Sequence, residues 1–181
     1  MNEKEYLHKW NSVAIDYCTR RDEVALIYQP VIEELTGDIS GKQVLDAGCG
    51  DGLDSRKLVS MGAVVTGIDA SQKMIALAKG FPSQPRLDYK IADLTEQLPF
   101  PDGCYDVVLA NMVLMDIPQI DVAIAEFSRV LRRGGIFVFS ITHPCFFSSD
   151  WIRGDDGEHL YKAISDYLIP KSGSVTEYPL Q

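Results

Sequence analysis

Carboxylate side chains crowd a short glycine-rich segment, and this is the part of the chain best suited to hold a charged ligand. Residues 44–52 read Val-Leu-Asp-Ala-Gly-Cys-Gly-Asp-Gly, so Asp46 and Asp51 lie within the segment and Asp54 follows closely. A pyrophosphate would meet these carboxylates as like charges at short range, which is unfavourable. A cation would be attracted, and an adenosine that carries a sulfonium and an ammonium group fits the pattern.

The spacing of the glycines supports the same conclusion. A dinucleotide-binding fingerprint reads G-x-G-x-x-G, with its third glycine placed for helix–strand packing. This chain reads G-x-G-x-G, and Leu53 follows. Two of the carboxylates also have an explanation without a ligand, because Asp51 and Asp54 would complement the positive N-terminal end of the next helix. That explanation suits Asp46 less well, since Asp46 precedes the helix.

The elements around this segment predict a crevice in an open α/β sheet. An apolar run before the glycines and an amphipathic run after them predict a strand, a tight turn and a helix over residues 53–61. A second strand is predicted over residues 63–68, ending at Asp69. A carboxylate at the tip of the second strand, about 20 residues beyond the glycines, accepts hydrogen bonds from ribose hydroxyls in this architecture. Ser71 can cap the helix that follows.

Three later segments also predict strands, over residues 87–91, 105–111 and 136–141. The last is a continuous apolar run, which is typical of a parallel sheet covered on both faces. After the first of them, Asp93 could accept a hydrogen bond from an adenine amino group, and Leu94 could cover the ring face.

A helix is predicted between the last two strands. Pro118 is expected to begin it, and the pair at residues 134–135 is a Gly-Gly sequence suited to its end. Its inward face is expected to consist of Ile120, Ala123, Ile124, Phe127 and Leu131.

In their order and spacing, these motifs resemble the class I S-adenosylmethionine-dependent methyltransferases. The resemblance is carried by residues 44–52, 68–70, 92–94, 105–111 and 128–135. It implies an α/β fold with a doubly wound, mostly parallel sheet and helices on both faces, a Rossmann-like methyltransferase fold. It also implies that S-adenosylmethionine lies across the carboxyl ends of the first strands, where a nucleophile attacks the sulfonium methyl in line.

The resemblance further implies which residues contact the cofactor. Asp46 and the backbone of the glycine segment would hold the methionine portion, Asp69 the ribose and Asp93 the adenine. N-terminal helices of the family lie over the cofactor, and Tyr17 is the aromatic candidate there, although a packing role explains it equally well. The expected cofactor contacts are Tyr17, Asp46, Ala47, Gly48, Cys49, Gly50, Asp69, Ala70, Met74, Asp93, Leu94 and Asn111.

The residues at the end of the fourth predicted strand indicate which class of molecule accepts the methyl group. Family members that act on exocyclic amines of nucleic-acid bases, or on glutamine amides, carry an Asn/Asp-Pro-Pro-aromatic motif there. This chain has Asn111 followed by Met-Val-Leu, without the prolines, so we expect a small-molecule acceptor. The fifth strand leads to His143, which could act as a general base because imidazole titrates near neutral pH, or could hold its loop by hydrogen bonds.

Three segments are expected along the chain. Residues 1–40 would form an N-terminal helical cap in which Pro30 predicts a kink or break, and residues 41–142 would form the S-adenosylmethionine-binding core. Residues 143–181 do not supply the further helix and two strands with which the family fold normally ends; only a helix over 163–169 is predicted there. We therefore expect a C-terminally incomplete fold whose fifth strand is a bare edge, with reduced stability or a homo-oligomer through that edge.

Composition disfavours several classes of partner. The chain has 181 residues, 17 Lys and Arg against 26 Asp and Glu, and a net charge of −9, so no nucleic-acid partner is expected. The N-terminus lacks the core of a signal peptide, and no apolar run approaches the ~20 residues that span a bilayer, so we expect a cytoplasmic protein without membrane association. Four cysteines and three histidines show no metal-ligand spacing, so no metal is expected.

Two other functions stay open on the sequence. A nicotinamide-dependent oxidoreductase shares the strand–loop–helix corner and the acidic second strand, but the loop spacing, the carboxylates and Asp93 disfavour it. A methyltransferase-like module that binds the cofactor without turnover is the second, because substrate-facing parts of the family often lie in the missing C-terminal region.

Overall fold

In a computed structural model of the chain, residues 5–143, 151–154 and 158–162 are described. They belong to two compact units, residues 1–141 and 142–181, and each unit is described by itself. No described helix combines the length and the apolar character needed to cross a membrane.

A five-stranded parallel sheet forms the centre of the first unit. Its strands are β1 Gln43–Ala47, β2 Val64–Asp69, β3 Leu87–Ile91, β4 Tyr105–Asn111 and β5 Leu131–Ser140. They are ordered β3-β2-β1-β4-β5, and all neighbouring strands are parallel. The order reverses between β1 and β4, and ligands bind at the carboxyl ends of strands at such a switch point. The predicted doubly wound sheet is confirmed.

Helices cover both faces of this sheet. They are α1 Glu5–Thr36, α2 Leu53–Ser60, α3 Gln72–Lys79 and α4 Ile120–Val130, with a short 3₁₀ turn at Leu114–Asp116. One apolar cluster packs Leu45 and Val108 of the sheet with Phe127 of α4. A second cluster packs the opposite face, where Val44 and its neighbours meet α1 and α2. Adjacent strand residues therefore point into different cores, as the continuous apolar strands require.

The N-terminal helix does not break where the sequence predicted. α1 runs from Glu5 to Thr36 with Pro30 inside it. Pro30 lies at an exposed position, so the carbonyl that loses its helical partner can bond to water. The cap is thus one continuous helix of 32 residues, without the break that Pro30 could have caused.

The fourth helix is shorter than predicted at both ends. It begins at Ile120, after the 3₁₀ turn rather than at Pro118, and it ends at Val130 rather than at the Gly-Gly pair. The end comes early because Leu131 already pairs with Tyr105 of β4. The two glycines instead lie in an irregular stretch of β5, where the pairing shifts register.

The inward face of α4 is also narrower than predicted. Ala123, Phe127 and Val130 are buried, whereas Ile120 and Ile124 are 48% and 38% exposed. Apolar residues of β5 are exposed as well, with Phe139 at 50%. In the part of the chain that the structure describes, β5 lies at the edge of the sheet, as expected. Association through that edge stays a prediction.

The second unit contains strands that the sequence did not indicate. β6 Trp151–Arg153 pairs antiparallel with β7 His159–Lys162. The sequence did not predict these two strands because runs of only three and four residues are too short to show a period. They form a two-stranded sheet of their own, so the expectation that residues 143–181 do not supply the further helix and two strands of the family fold stays a prediction. The helix predicted over residues 163–169 lies outside the described residues.

Candidate functional site

The glycine loop, residues 48–52, uses four of its main-chain N–H groups within the protein. The hydrogen bonds are those of Gly48 N and Cys49 N to the Ile68 carbonyl (2.8 and 2.9 Å), of Gly50 N to Asp69 Oδ2 (2.9 Å) and of Gly52 N to the Cys49 carbonyl (2.9 Å). Phosphate sites of this architecture depend on N–H groups that face the ligand. The loop is therefore poorly suited to a pyrophosphate, and the expected contact of its backbone with the cofactor stays a prediction.

Two of the loop glycines have protein neighbours that leave no room for a side chain. Gly48 and Gly52 have φ of 76° and 77°, in the left-handed region that favours glycine. A Cβ on Gly48 would lie 2.5 Å from Val113 Cγ2, and one on Gly52 would lie 2.0 Å from the Tyr89 hydroxyl. Both neighbours come from distant strands or loops, so sequence inspection of the loop could not reveal them.

The carboxylates of the loop are nearly buried. Asp46 is 1% exposed, and its Oδ2 accepts a hydrogen bond from Ser55 Oγ at 2.5 Å. Asp51 and Asp54 are each 8% exposed. Asp54 also lies in the first turn of α2, where it complements the helix dipole. Negative charge thus lies beneath and beside the loop, which favours a cationic ligand over an anionic one.

Asp69 stands at the tip of β2 beside the loop, as predicted. Its Oδ2 accepts from Gly50 N at 2.9 Å, and its Oδ1 accepts from Ser71 N at 2.8 Å. A carboxylate has about four acceptor positions, so these two bonds are compatible with accepting from hydroxyl groups as well. Ser71 caps α3 as predicted, since its Oγ accepts from Met74 N at 3.1 Å.

The N-terminal helix reaches this end of the sheet through a residue that the sequence did not single out. The Ser71 hydroxyl donates to Asn11 Oδ1 at 2.7 Å, which docks α1 onto the start of α3. Tyr17, one of the expected contacts, is 36% exposed and packs edge-on against Trp10 with ring centroids 5.2 Å apart. Its contact with a ligand stays a prediction.

Four of the expected contacts have side chains packed in the core. The exposed fractions are 0% for Ala47, 3% for Cys49, 2% for Met74 and 4% for Leu94. Leu94 belongs to the cluster around Phe127. The contacts of these four residues with the cofactor stay predictions.

Asp93, which was predicted to accept a hydrogen bond from adenine, accepts hydrogen bonds within a local turn. Asp93 Oδ1 accepts from the main-chain N and the hydroxyl of Thr95, at 2.9 and 2.8 Å. Asp93 and Ala70 are both half-buried, and their contact with the cofactor stays a prediction.

Side-chain hydrogen bonds join α2, β4 and β5 on the other side of the crevice. Asn111 Nδ2 donates to Asp54 Oδ2 at 2.8 Å, and the Ser140 hydroxyl donates to Asn111 Oδ1. Met112 follows with φ of 55°, and its N–H donates to the carbonyl and the hydroxyl oxygens of Ser140, both at 3.1 Å. Such a backbone conformation costs about 1–3 kcal/mol in a non-glycine residue and often occurs at functional sites.

A further carboxyl group lies just beyond this point. Asp116 ends the 3₁₀ turn, and its N–H donates to the Val113 carbonyl at 2.9 Å. Burial raises the pKa of the Asp116 carboxyl, and the positive charge of Lys9 on α1 acts in the opposite direction. The sequence analysis missed both residues, because a lone Asp and an N-terminal Lys carry no motif.

His143 is exposed and belongs to the second unit. The general-base role suggested for it stays a prediction.

Fold and site together define a class: an α/β domain with a glycine loop and carboxylates at the carboxyl ends of its strands, where the strand order reverses. Residues 45–139 match the family model described as a methyltransferase domain, just over half of the chain. The protein therefore belongs to the methyltransferase family, as the resemblance implied.

Named relatives agree with this family. The chain is 35% identical over 111 residues to the ubiquinone biosynthesis O-methyltransferase of Bordetella bronchiseptica, an alignment that covers 60% of this chain and 46% of that protein. It is 38% identical over 135 residues to the malonyl-[acyl-carrier protein] O-methyltransferase of Hamiltonella defensa, covering 73% and 51%. The chain thus spans about half the length of the curated relatives it matches.

A solved structure shares the fold. The S-adenosylmethionine-dependent methyltransferase from Mesorhizobium loti superimposes with a TM-score of 0.68 at 27% identity. The alignment covers 78% of this chain and 66% of that one.

Proposed function

We propose that this protein transfers a methyl group from S-adenosylmethionine to a small organic acceptor. The observation that carries the proposal is the character of the glycine loop, where four main-chain N–H groups are internally satisfied and carboxylates surround the turn. A dinucleotide would lose its phosphate donors there, whereas a nucleoside with an ammonium and a sulfonium group would gain attraction.

The residues present fit such a cofactor. Asp69 stands ready to accept from ribose hydroxyls beside Gly50, and Asp46 places negative charge under the methionine end. S-adenosylmethionine, when bound, supplies a methyl group activated by its sulfonium sulfur. The chain's own contribution is to hold the nucleoside, exclude water and align an acceptor for in-line approach, which can account for much of a rate enhancement.

The names of the relatives support oxygen as the accepting atom. Both are O-methyltransferases, one of ubiquinone biosynthesis and one that acts on malonyl-[acyl-carrier protein]. The acceptor would approach from the β4 side, where Asn111 and Asp116 lie beyond the sheet. The absence of the Asn-Pro-Pro-aromatic motif at Asn111 also favours an acceptor other than a nucleic-acid base.

The test is transfer of a tritium-labelled methyl group from S-adenosylmethionine to a catechol, a phenol, a carboxylic acid and an amine. We expect label in an oxygen acceptor, and at least a tenfold loss of rate in Asp69→Ala at limiting cofactor. Asp102→Ala is the matched control, because Asp102 is exposed in the loop before β4 and pairs with Arg129. Binding of S-adenosylhomocysteine without transfer to any acceptor would favour a module without turnover.

A further inference from the structure

Tyr89 lies on β3, one of the two edge strands of the sheet, and its side chain reaches the glycine loop. It is the one buried residue of β3, 7% exposed, while its neighbours in the strand are half-buried or exposed. Its hydroxyl donates to the Gly52 carbonyl at 3.3 Å. Its ring packs in a small cluster with Cys49 of the loop and with Ile75 and Ala78 of α3.

Two glycines leave the space that this side chain fills. A Cβ on Gly52 would lie 2.0 Å from the Tyr89 hydroxyl oxygen, and one on Gly67 would lie 2.7 Å from Tyr89 Cδ1. The Gly67 Cβ would also lie 2.8 Å from Ser55 Oγ. Separations below 3.0 Å are essentially never made by real Cβ atoms, so the third glycine of the loop is matched to a tyrosine on another strand.

The tyrosine continues into a row of buried polar side chains. Its ring and the Ser55 hydroxyl both lie against the Cβ position of Gly67, and Ser55 Oγ donates to Asp46 Oδ2 at 2.5 Å. Ser55 and Asp46 are 0% and 1% exposed. Burial raises the pKa of Tyr89 to about 12, with the positive charge of Arg56 acting against it. The phenol therefore remains a donor throughout the neutral range.

We propose that Tyr89 is a positioning residue for the end of the crevice that holds the amino-acid half of the cofactor. Its hydroxyl would fix the Gly52 carbonyl, and Ser55 beside its ring would fix the Asp46 carboxylate. This inference rests on the proposed function, because it assigns Asp46 and the loop to the methionine portion. Without the hydroxyl, the Gly52 carbonyl loses its side-chain donor, whereas Asp69, which would hold the ribose, keeps its own bonds to Gly50 and Ser71.

The test compares two probes that share the adenosine and differ in the amino-acid portion. S-adenosylhomocysteine has that portion, and 5′-methylthioadenosine lacks it. In Tyr89→Phe we expect affinity for the first to fall about tenfold, the effect of one buried hydrogen bond, and affinity for the second to change less than about twofold. Ser55→Ala should give the same selective loss.

Tyr105→Phe is the matched control. Tyr105 is 6% exposed and begins β4, at the opposite end of the sheet from the glycine loop. Its loss should lower the melting temperature and leave both affinities unchanged. Equal weakening of both probes in Tyr89→Phe, or no weakening of either, would overturn the positioning role. If the wild-type chain binds neither probe, the proposed function fails before Tyr89 is tested.

Discussion

Each side of the crevice contains a residue with a left-handed backbone conformation, but the two conformations are stabilised differently. In the glycine loop, Gly48 has φ of 76°, and the space beside it is filled by Val113. Across the crevice, at the carboxyl end of β4, Met112 has φ of 55° without the freedom of a glycine. Ser140 holds that conformation by accepting from the Met112 N–H with both its carbonyl and its hydroxyl.

The two sides of the crevice are stabilised by different kinds of contact: mainly main-chain hydrogen bonds and packing in the glycine loop, and side-chain hydrogen bonds at the ends of β4 and β5. The glycine loop is held mainly by hydrogen bonds of its own N–H groups and by close packing against Val113 and Tyr89. The β4–β5 side depends on Asn111, Ser140 and Asp54 bonding to one another across three elements.

The largest effect should come from adding one methyl group to the loop. Gly48→Ala combines a left-handed alanine, about 1–2 kcal/mol, with overlap against Val113, about 1–3 kcal/mol. We expect chemical denaturation to show a loss of about 3 kcal/mol in the free energy of unfolding. Gly134→Ala is the control, since Gly134 has φ of 81° but no atom within 4 Å of its Cβ position. Equal losses in both would show that packing at Val113 has no part in shaping the loop.

The next effect concerns ligand affinity on the loop side. Asp69→Ala should weaken S-adenosylhomocysteine about 100-fold, because hydrogen bonds to a charged group contribute about 1.5–3 kcal/mol each. Calorimetric titration of the variant, with Asp102→Ala beside it, measures the change. An affinity that stays at the wild-type value would remove Asp69 from the site.

A smaller effect tests the side-chain network of the other half. Asn111→Asp places a carboxylate 2.8 Å from Asp54 Oδ2, where an amide now donates. Because two adjacent carboxylates raise the pKa of one of them, the folded state then binds a proton more tightly than the unfolded state does. Stability is therefore retained at low pH and lost as pH rises. We expect a loss of about 1–2 kcal/mol at pH 8 and less at pH 5.

The reciprocal exchange sharpens this test. Asp54→Asn combined with Asn111→Asp restores a donor and an acceptor with their positions reversed, so most of the lost stability should return. A double variant as unstable as Asn111→Asp alone would mean that the two side chains do not act as a pair.

The smallest predicted effect is a gain in stability. Burial raises the pKa of Asp116, so its charged form is disfavoured in the folded protein, and stability falls as pH rises from the ordinary aspartate range, about 4, through the raised value. Asp116→Asn should therefore stabilise the protein by less than about 1 kcal/mol at pH 7.5, with no gain at pH 4. Thermal unfolding at both pH values measures it. A loss at pH 7.5 would show that attraction to Lys9 outweighs the cost of burial.

Features set by residues close together in the sequence could be predicted, whereas features that depend on distant residues could not. The strands, the loop and the place of Asp69 followed from local patterns, since each is set by residues within a few positions of one another. Tyr89, Val113, Asn11 and Ser140 escaped prediction because each reaches its partner from a distant part of the chain. The predicted end of α4 was wrong because the pairing of Leu131 with Tyr105 outweighed the glycine signal.

The central claim is that the loop accepts a cationic nucleoside rather than a dinucleotide. Calorimetric titration of S-adenosylmethionine into the 181-residue chain, with NAD as the control, tests it most directly. We predict micromolar binding of S-adenosylmethionine and no heat of binding from NAD. Binding of NAD, or of neither ligand, would contradict the assignment of the glycine loop to a cationic nucleoside.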